Sequence, residues 1–231
     1  MYKFFFVRKE GALDVERMRE AAGHLVGTFD FRNLCKADVP AVTNFVRRIV
    51  EARLERLEGA GVRGYEVLEL NIVGTAFLWH QIRCIAAVLA MVGEGLEEPG
   101  VVKELLDVER VTCKPQFKMA EPEPLLLYEC AYDELDGGWI RPEGVLRAFD
   151  REVDQEVQML MTKAQVLLAT RDRVLGSGSG SGNGSGSGDV LMAAGRQRHV
   201  PLLERNREPS IEGRLAKHGL QIVSREPREH R

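Results

Sequence analysis

The residue with the most to explain in this sequence is Arg83. It is the single charged side chain between Thr75 and Val92, TAFLWHQIRCIAAVLAMV. A guanidinium keeps its proton in a protein, so a buried Arg83 needs a carboxylate, a phosphate or carbonyl oxygens around it. Two uses fit. One is a structural ion pair, or a place on a solvent edge; the other is an anion or a catalytic carboxylate held in a cleft. Trp79 and Ala87, one turn to either side, surround it with apolar surface and argue against the solvent edge. His80 in the same segment suits a satisfied core or supporting histidine better than a base. Cys35, Cys84, Cys113 and Cys130 form no C-x-x-C pair. Zinc would need them to converge without the usual ligand spacing, so free thiols and no metal are expected.

These residues need a frame. The chain has 231 residues, 44% apolar and 29% charged, enough for one good-sized domain or two small ones. Lys3 to Val7 predicts a buried strand that starts abruptly at the first methionine. Asp14 is placed to cap a helix over Val15 to Val26, with Gly27 at its end. Thr28 to Pro40 is polar and loop-like, with two embedded phenylalanines. Tyr65 to Val73 alternates as a strand ending at Gly74. The length and Ala/Leu content of Thr75 to Val92 predict a helix buried nearly all round. A membrane span is the rival, but a central arginine costs about 2.5–3.5 kcal/mol there, so no membrane is expected. A short helix over Pro99 to Leu106, a strand over Leu125 to Tyr132 and a long helix over Pro142 to Leu175 follow. Val42, Phe45, Val46, Ile49, Val50, Leu54 and Leu57 recur with helical period, although VTNFVRRIV is rich in β-branched residues.

Charge and composition divide the chain. The formal net charge is −3, yet from Asp189 onward nine Lys/Arg face six Asp/Glu, a local +3 that leaves −6 for the first 188 residues. GSGSGSGNGSGSG, residues 176–188, reads as a flexible linker. Residues 189–231 read as an Arg-rich, largely disordered tail that docks at most through a stretch such as Val200 to Leu203. No secretory signal is readable and reduced thiols are the default, which suggests an intracellular protein of the nucleus, the cytoplasm or both.

Several stretches resemble the later part of the TruA-type tRNA pseudouridine synthases, most closely the eukaryotic 38/39 branch that acts on the 3′ side of the anticodon stem-loop. They are Tyr2-Lys3-Phe4-Phe5-Phe6, the run AAGHLVGTFDFRNLCK ending at Lys36, and GTAFLWHQIRCIAAVLAMVGEG from Gly74 to Gly95. The likeness continues through Glu97-Glu98-Pro99, KPQFKMA from Lys114 to Ala120, and PLLLYEC from Pro124 to Cys130, with a weaker echo in VPLLERNREPSIEGR from Val200 to Arg214.

The resemblance implies an α+β fold, a mixed and mainly antiparallel sheet with packed helices, and a strand rather than a helix from Thr43 to Arg56. It divides the chain into a synthase-like C-terminal domain truncated at its start (1–140), a helical extension (141–175), the linker and the tail. It implies isomerisation of uridine to pseudouridine in tRNA without cofactor or metal. By the same resemblance Tyr2 stacks on the uracil, and Arg83 pairs with a catalytic aspartate. Phe77, Met119, Ala120 and Leu125 would line the uracil pocket or serve as core packing. Arg32, Asn33 and Lys36 could meet phosphates, and Arg47 and Arg48 could line a groove, against the ordinary alternative of solvated surface. The family's aspartate sits in an R-T-D-x-G motif absent from these 231 residues; Thr170-Arg171-Asp172 lacks the following glycine, and Asp30 matches a loop position without a nucleophilic role. The expectation is therefore a chain inactive without an N-terminal aspartate-bearing domain, or else a non-catalytic tRNA-binding or protein-interaction module of the same descent. A homodimer is implied too, as is exposed apolar surface along Lys3 to Val7 where the absent domain would pack.

Overall fold

The computed structural model describes residues 1–39, 41–132, 140–176 and 199–223, so the linker and the ends of the tail lie outside the described residues. The chain divides into two compact units, Met1–Cys130 with Arg198–Arg231, and Ala131–Gln197.

The first unit is built on five strands: β1 (Tyr2–Lys9), β2 (Gly27–Asp30), β3 (Val46–Arg56), β4 (Tyr65–Gly74) and β5 (Leu125–Leu127). They lie in the order β2-β3-β4-β1-β5 and every adjacent pair is antiparallel, so the sheet described is not mixed. Register sorts the side chains. Phe4 lies opposite Leu70 and Phe6 opposite Leu68, and Leu70 also faces Leu54 of β3, which puts one apolar row on a single face. Against that face pack α1 (Val15–Gly23) and α2 (Gln81–Gly93), whose Met18, Ala21, Ala22, Ile85, Ala86 and Leu89 are all buried. Each large side chain buried this way contributes about 1.5–3 kcal/mol. On the reverse face Lys3 Nζ and Asn71 Nδ2 each donate to Glu69 Oε1 at 2.9 Å.

The Thr43 to Arg56 segment is a strand, as the resemblance implied and against its helical period. The cause is a bulge: Ile49 pairs with Gly74 and Glu51 with Val73, leaving Val50 as the extra residue. The bulge shifts the inward side by one, so that Ile49 and Leu54, five residues apart, are both buried while Val50 faces water.

β1 is in part an edge. β5 pairs with it from Tyr2 to Phe4 only; Phe4 and Phe6 are buried, and along Lys3 to Val7 the exposed apolar surface is confined to Val7. α1 begins as expected, with Asp14 Oδ1 accepting from Arg17 N at 3.1 Å. α3 (Val101–Leu106) follows α2.

The tail over residues 199–223 departs most from expectation. It forms a single 3-10 turn at Leu202–Glu204 and a short helix, α5 (Ile211–Ala216), and it belongs to the first unit. Leu202 and Leu215 are fully buried there, and Ile211 nearly so. These three scattered apolar residues, too few for a core of their own, instead complete one built upstream.

The described part of the second unit is dominated by α4 (Glu143–Gly176), 34 residues long. Among the described residues no helix is long and apolar enough to cross a membrane.

Candidate active site

Arg83 sits in the first turn of α2, and the chain on either side fixes it there. Leu78 N donates to Gln81 Oε1 at 2.7 Å while Gln81 N donates back to Leu78 O at 3.1 Å, a reciprocal cap that starts the helix at Gln81 rather than at Thr75. Just before it His80 has φ 56°, the left-handed region that non-glycine residues avoid. Its Nδ1 lies 3.0 Å from Met119 Sδ. Burial depresses the His80 pKa, and the nearby Arg83, Lys36 and Lys114 charges push it the same way.

Arg83 and Ala120 clasp each other twice. The guanidinium Nε donates to Ala120 O at 2.7 Å, and Ala120 N donates to Arg83 O at 3.1 Å. Among the described residues Arg83 forms no ion pair within 4 Å, although after Lys118 it is the other cation that lowers the pKa of the nearby Glu121 carboxyl. Tyr2 and Phe77 meet edge to face with ring centroids 5.1 Å apart. Gly74 makes that contact possible, since a Cβ there would lie 2.8 Å from Arg48 O and 2.9 Å from the Phe77 ring.

The loop that carries Met119 and Ala120 is held by the tail. Gln116 N donates to Asn206 O at 2.9 Å, Glu208 N to Lys114 O at 2.8 Å, and Pro115 bridges Arg207. Buried Glu97 anchors the tail by accepting from Leu202 N at 2.7 Å and lying 2.8 Å from His199 Nε2. A groove of about 210 Å³ beside the loop is lined by Phe4, Ala86, Ala87, Met119 and Ala120 among others. Tyr2, Phe77 and Arg83 lie outside that lining. Leu125, the other expected pocket residue, pairs with Phe4 across the sheet and is half-buried.

The family described as tRNA pseudouridine synthase matches residues 21–133. That span includes α2 with Arg83 and the Met119–Ala120 loop. The chain belongs to the tRNA pseudouridine synthase family. Over 160 residues it is 41% identical to the bovine tRNA pseudouridine(38/39) synthase, covering 67% of this chain and 31% of the relative. It is 41% identical over 142 residues to the Saccharomyces cerevisiae protein of the same name, covering 61% and 30%. A tRNA pseudouridine synthase A of Bacillus velezensis is 40% identical over 122 residues, covering 52% and 45%. The chain thus spans about a third of the length of the eukaryotic synthases it matches.

Two residues expected to touch RNA are spent inside this pseudouridine synthase fold. Asn33 is buried, and its Nδ2 donates to Leu105 O at 3.0 Å and Val111 O at 2.6 Å, tying the FDFRNLCK loop to α3. Arg32 is buried between Asp30, at 2.6 Å, and Glu212 of α5, at 2.5 Å. Asp30 is thereby a structural partner. Burial opposes the charge on Arg32, but Asp30 and Glu212 outweigh it and raise its pKa. Arg47 is half-buried, its Nη1 donating to Asn44 O at 3.0 Å and Val46 O at 2.7 Å. Lys36 and Arg48 do face solvent. Lys36 Nζ sits 4.7 Å over the ring of Trp79, a half-exposed aromatic that periodicity alone assigned to packing. Glu97 carried no sequence signal, because its partners lie more than a hundred residues away. Among the described residues no three His, Cys, Asp or Glu side chains are grouped to hold a metal.

Proposed function

We propose that this chain supplies the arginine- and tyrosine-bearing side of a tRNA pseudouridine synthase site, acting on uridine in the 38/39 region of the anticodon stem-loop. What carries the reading is Arg83, clasped through Nε to Ala120 O and without an ion-pair partner among the described residues. An ionised carboxylate facing its Nη groups would be held deprotonated and aimed by charge-assisted hydrogen bonds. In the isomerisation the C1′–N1 bond of uridine breaks and a C1′–C5 bond forms; C5 loses its proton and N1 gains one. An aspartate serves as nucleophile or base, Arg83 orients it, and Tyr2 gives the unstacked uracil a face. The aspartate comes from a segment outside these 231 residues.

The test is tritium release from tRNA labelled at uridine C5. The purified chain is expected to release none, and to release tritium when the aspartate-bearing part of a relative is added. Arg83→Ala should abolish the restored turnover. Release by the chain alone, or restored release that survives Arg83→Ala, would sink the reading. Salt-dependent tRNA binding without restored turnover would identify a binding module instead.

A further inference from the structure

The chain entering α2 turns one large aromatic outward. Leu78 and Gln81 are buried, yet Trp79, between them, is 48% exposed. The backbone passes there through the left-handed His80, φ 56°, a conformation that persists only where its surroundings enforce it. Here they do. Lys36 N donates to Trp79 O at 3.0 Å, the Lys36 ammonium lies 4.7 Å over the indole, and the ring of His80 meets it with centroids 4.5 Å apart. A tryptophan held this firmly and left half in water is a rigid flat surface open to a partner.

The charges around it choose the partner. Lys36 is exposed and forms no ion pair among the described residues. The charges that act on His80 are those of Arg83, Lys36 and Lys114, all cations. An aromatic face beside an unpaired ammonium suits a nucleotide, whose base stacks on the ring and whose phosphate meets the cation. An acidic peptide would use the cations and leave the indole idle. Contacts also tie this surface to Arg83: His80 Nδ1 lies 3.0 Å from Met119 Sδ, and the next residue, Ala120, is the one that clasps Arg83.

Resting on the synthase reading above, we propose that Trp79 is a nucleotide-stacking residue: an unpaired base of the anticodon loop, beside the target uridine, lies on its indole, and Lys36 neutralises the phosphate of that nucleotide. Bases in the paired stem are already stacked on one another and offer no free face. The surface therefore selects loop over stem. Because His80, Met119 and Ala120 connect it to Arg83, it also sets where along the loop the uridine falls. Stacking tolerates any base, so the choice is one of geometry rather than of neighbouring sequence.

Trp139→Phe leaves Trp79 as the single tryptophan of the full chain, and a base stacked on it quenches its fluorescence. Titration with an anticodon stem-loop RNA is expected to quench Trp79 over the concentrations at which labelled stem-loop binds by anisotropy. An RNA duplex of equal length, or poly-glutamate, should quench little. Trp79→Leu should weaken stem-loop binding about tenfold, and Trp79→Phe, which keeps an aromatic face, by no more than about threefold. Neither should alter the weaker binding of duplex, which reports an intact fold. Lys36→Ala should weaken stem-loop binding and lower the slope of log K against log salt by about 0.7. Three results overturn the proposal: no stem-loop binding up to about 100 μM, equal quenching by duplex or poly-glutamate, or stem-loop affinity indifferent to Trp79→Leu. None of them bears on the reaction, which tritium release and Arg83→Ala test separately.

Discussion

At the scale of single residues, the site depends on two backbone positions as much as on its charged groups. Gly74 lets the exit of β4 pass Arg48 O and the Phe77 ring. Gly74→Ala must displace Phe77 or part β3 from the turn, at about 1–3 kcal/mol for the overpacking. Thermal unfolding and the loss of the Tyr2–Phe77 contact by NMR should report it together. His80 gives a pH prediction. Burial first, then Arg83, Lys36 and Lys114, depress its pKa below the ordinary histidine value of about 6.5, so the unfolded chain binds its proton more readily than the folded one. Its contribution is therefore complete above pH 6.5 and is lost as pH falls from there through the folded pKa. Asparagine tolerates the left-handed backbone without titrating, so His80→Asn should flatten the denaturant-midpoint profile between pH 7 and 5. His24, whose pKa is also depressed, will leave a residual slope. Tyr2, Phe77 and Arg83 were singled out by residue type and local motif, and the structure sets Tyr2 against Phe77. Arg32 and Asn33 were not, because their partners Glu212, Leu105 and Val111 come from far along the chain.

At the scale of elements, the misread parts are those in which a local pattern is reshaped by a neighbour. β3 carries a helix-like period because its bulge flips the inward side midway, and only pairing with β4 reveals that. The tail looked too poor in apolar residues to fold, and on its own terms it is; Leu202, Ile211 and Leu215 are buried by a core that other elements build. The tail in turn braces the loop that clasps Arg83. Glu97 is the anchor of that brace, and Glu97→Ala leaves the buried Leu202 N–H without its acceptor, a cost of about 1–3 kcal/mol. Trypsin cleavage at Arg205 and Arg207 should accelerate in Glu97→Ala and stay unchanged in Glu94→Ala, whose side chain is exposed. Equal protection in both variants would mean that the tail is held by its apolar residues alone.

At the scale of the whole molecule, the two units draw stability from different sources, and unfolding should expose the difference. The first unit encloses its own core of sheet, helices and tail. In the described part of the second unit α4 exposes most of its apolar side chains, and a helix without apolar burial is only marginally stable in water. α4 should therefore melt below the first unit. With Trp139→Phe, Trp79 is the single tryptophan left and reports on the first unit, its ring 4.5 Å from that of His80. Far-ultraviolet circular dichroism meanwhile weighs the 34 residues of α4 heavily. On heating, the circular dichroism transition should begin below the Trp79 transition. Coincident transitions would mean one cooperative unit and a helix stabilised within its own chain. Leu160→Glu, at an exposed position of α4, should then lower the Trp79 midpoint as much as the helical one.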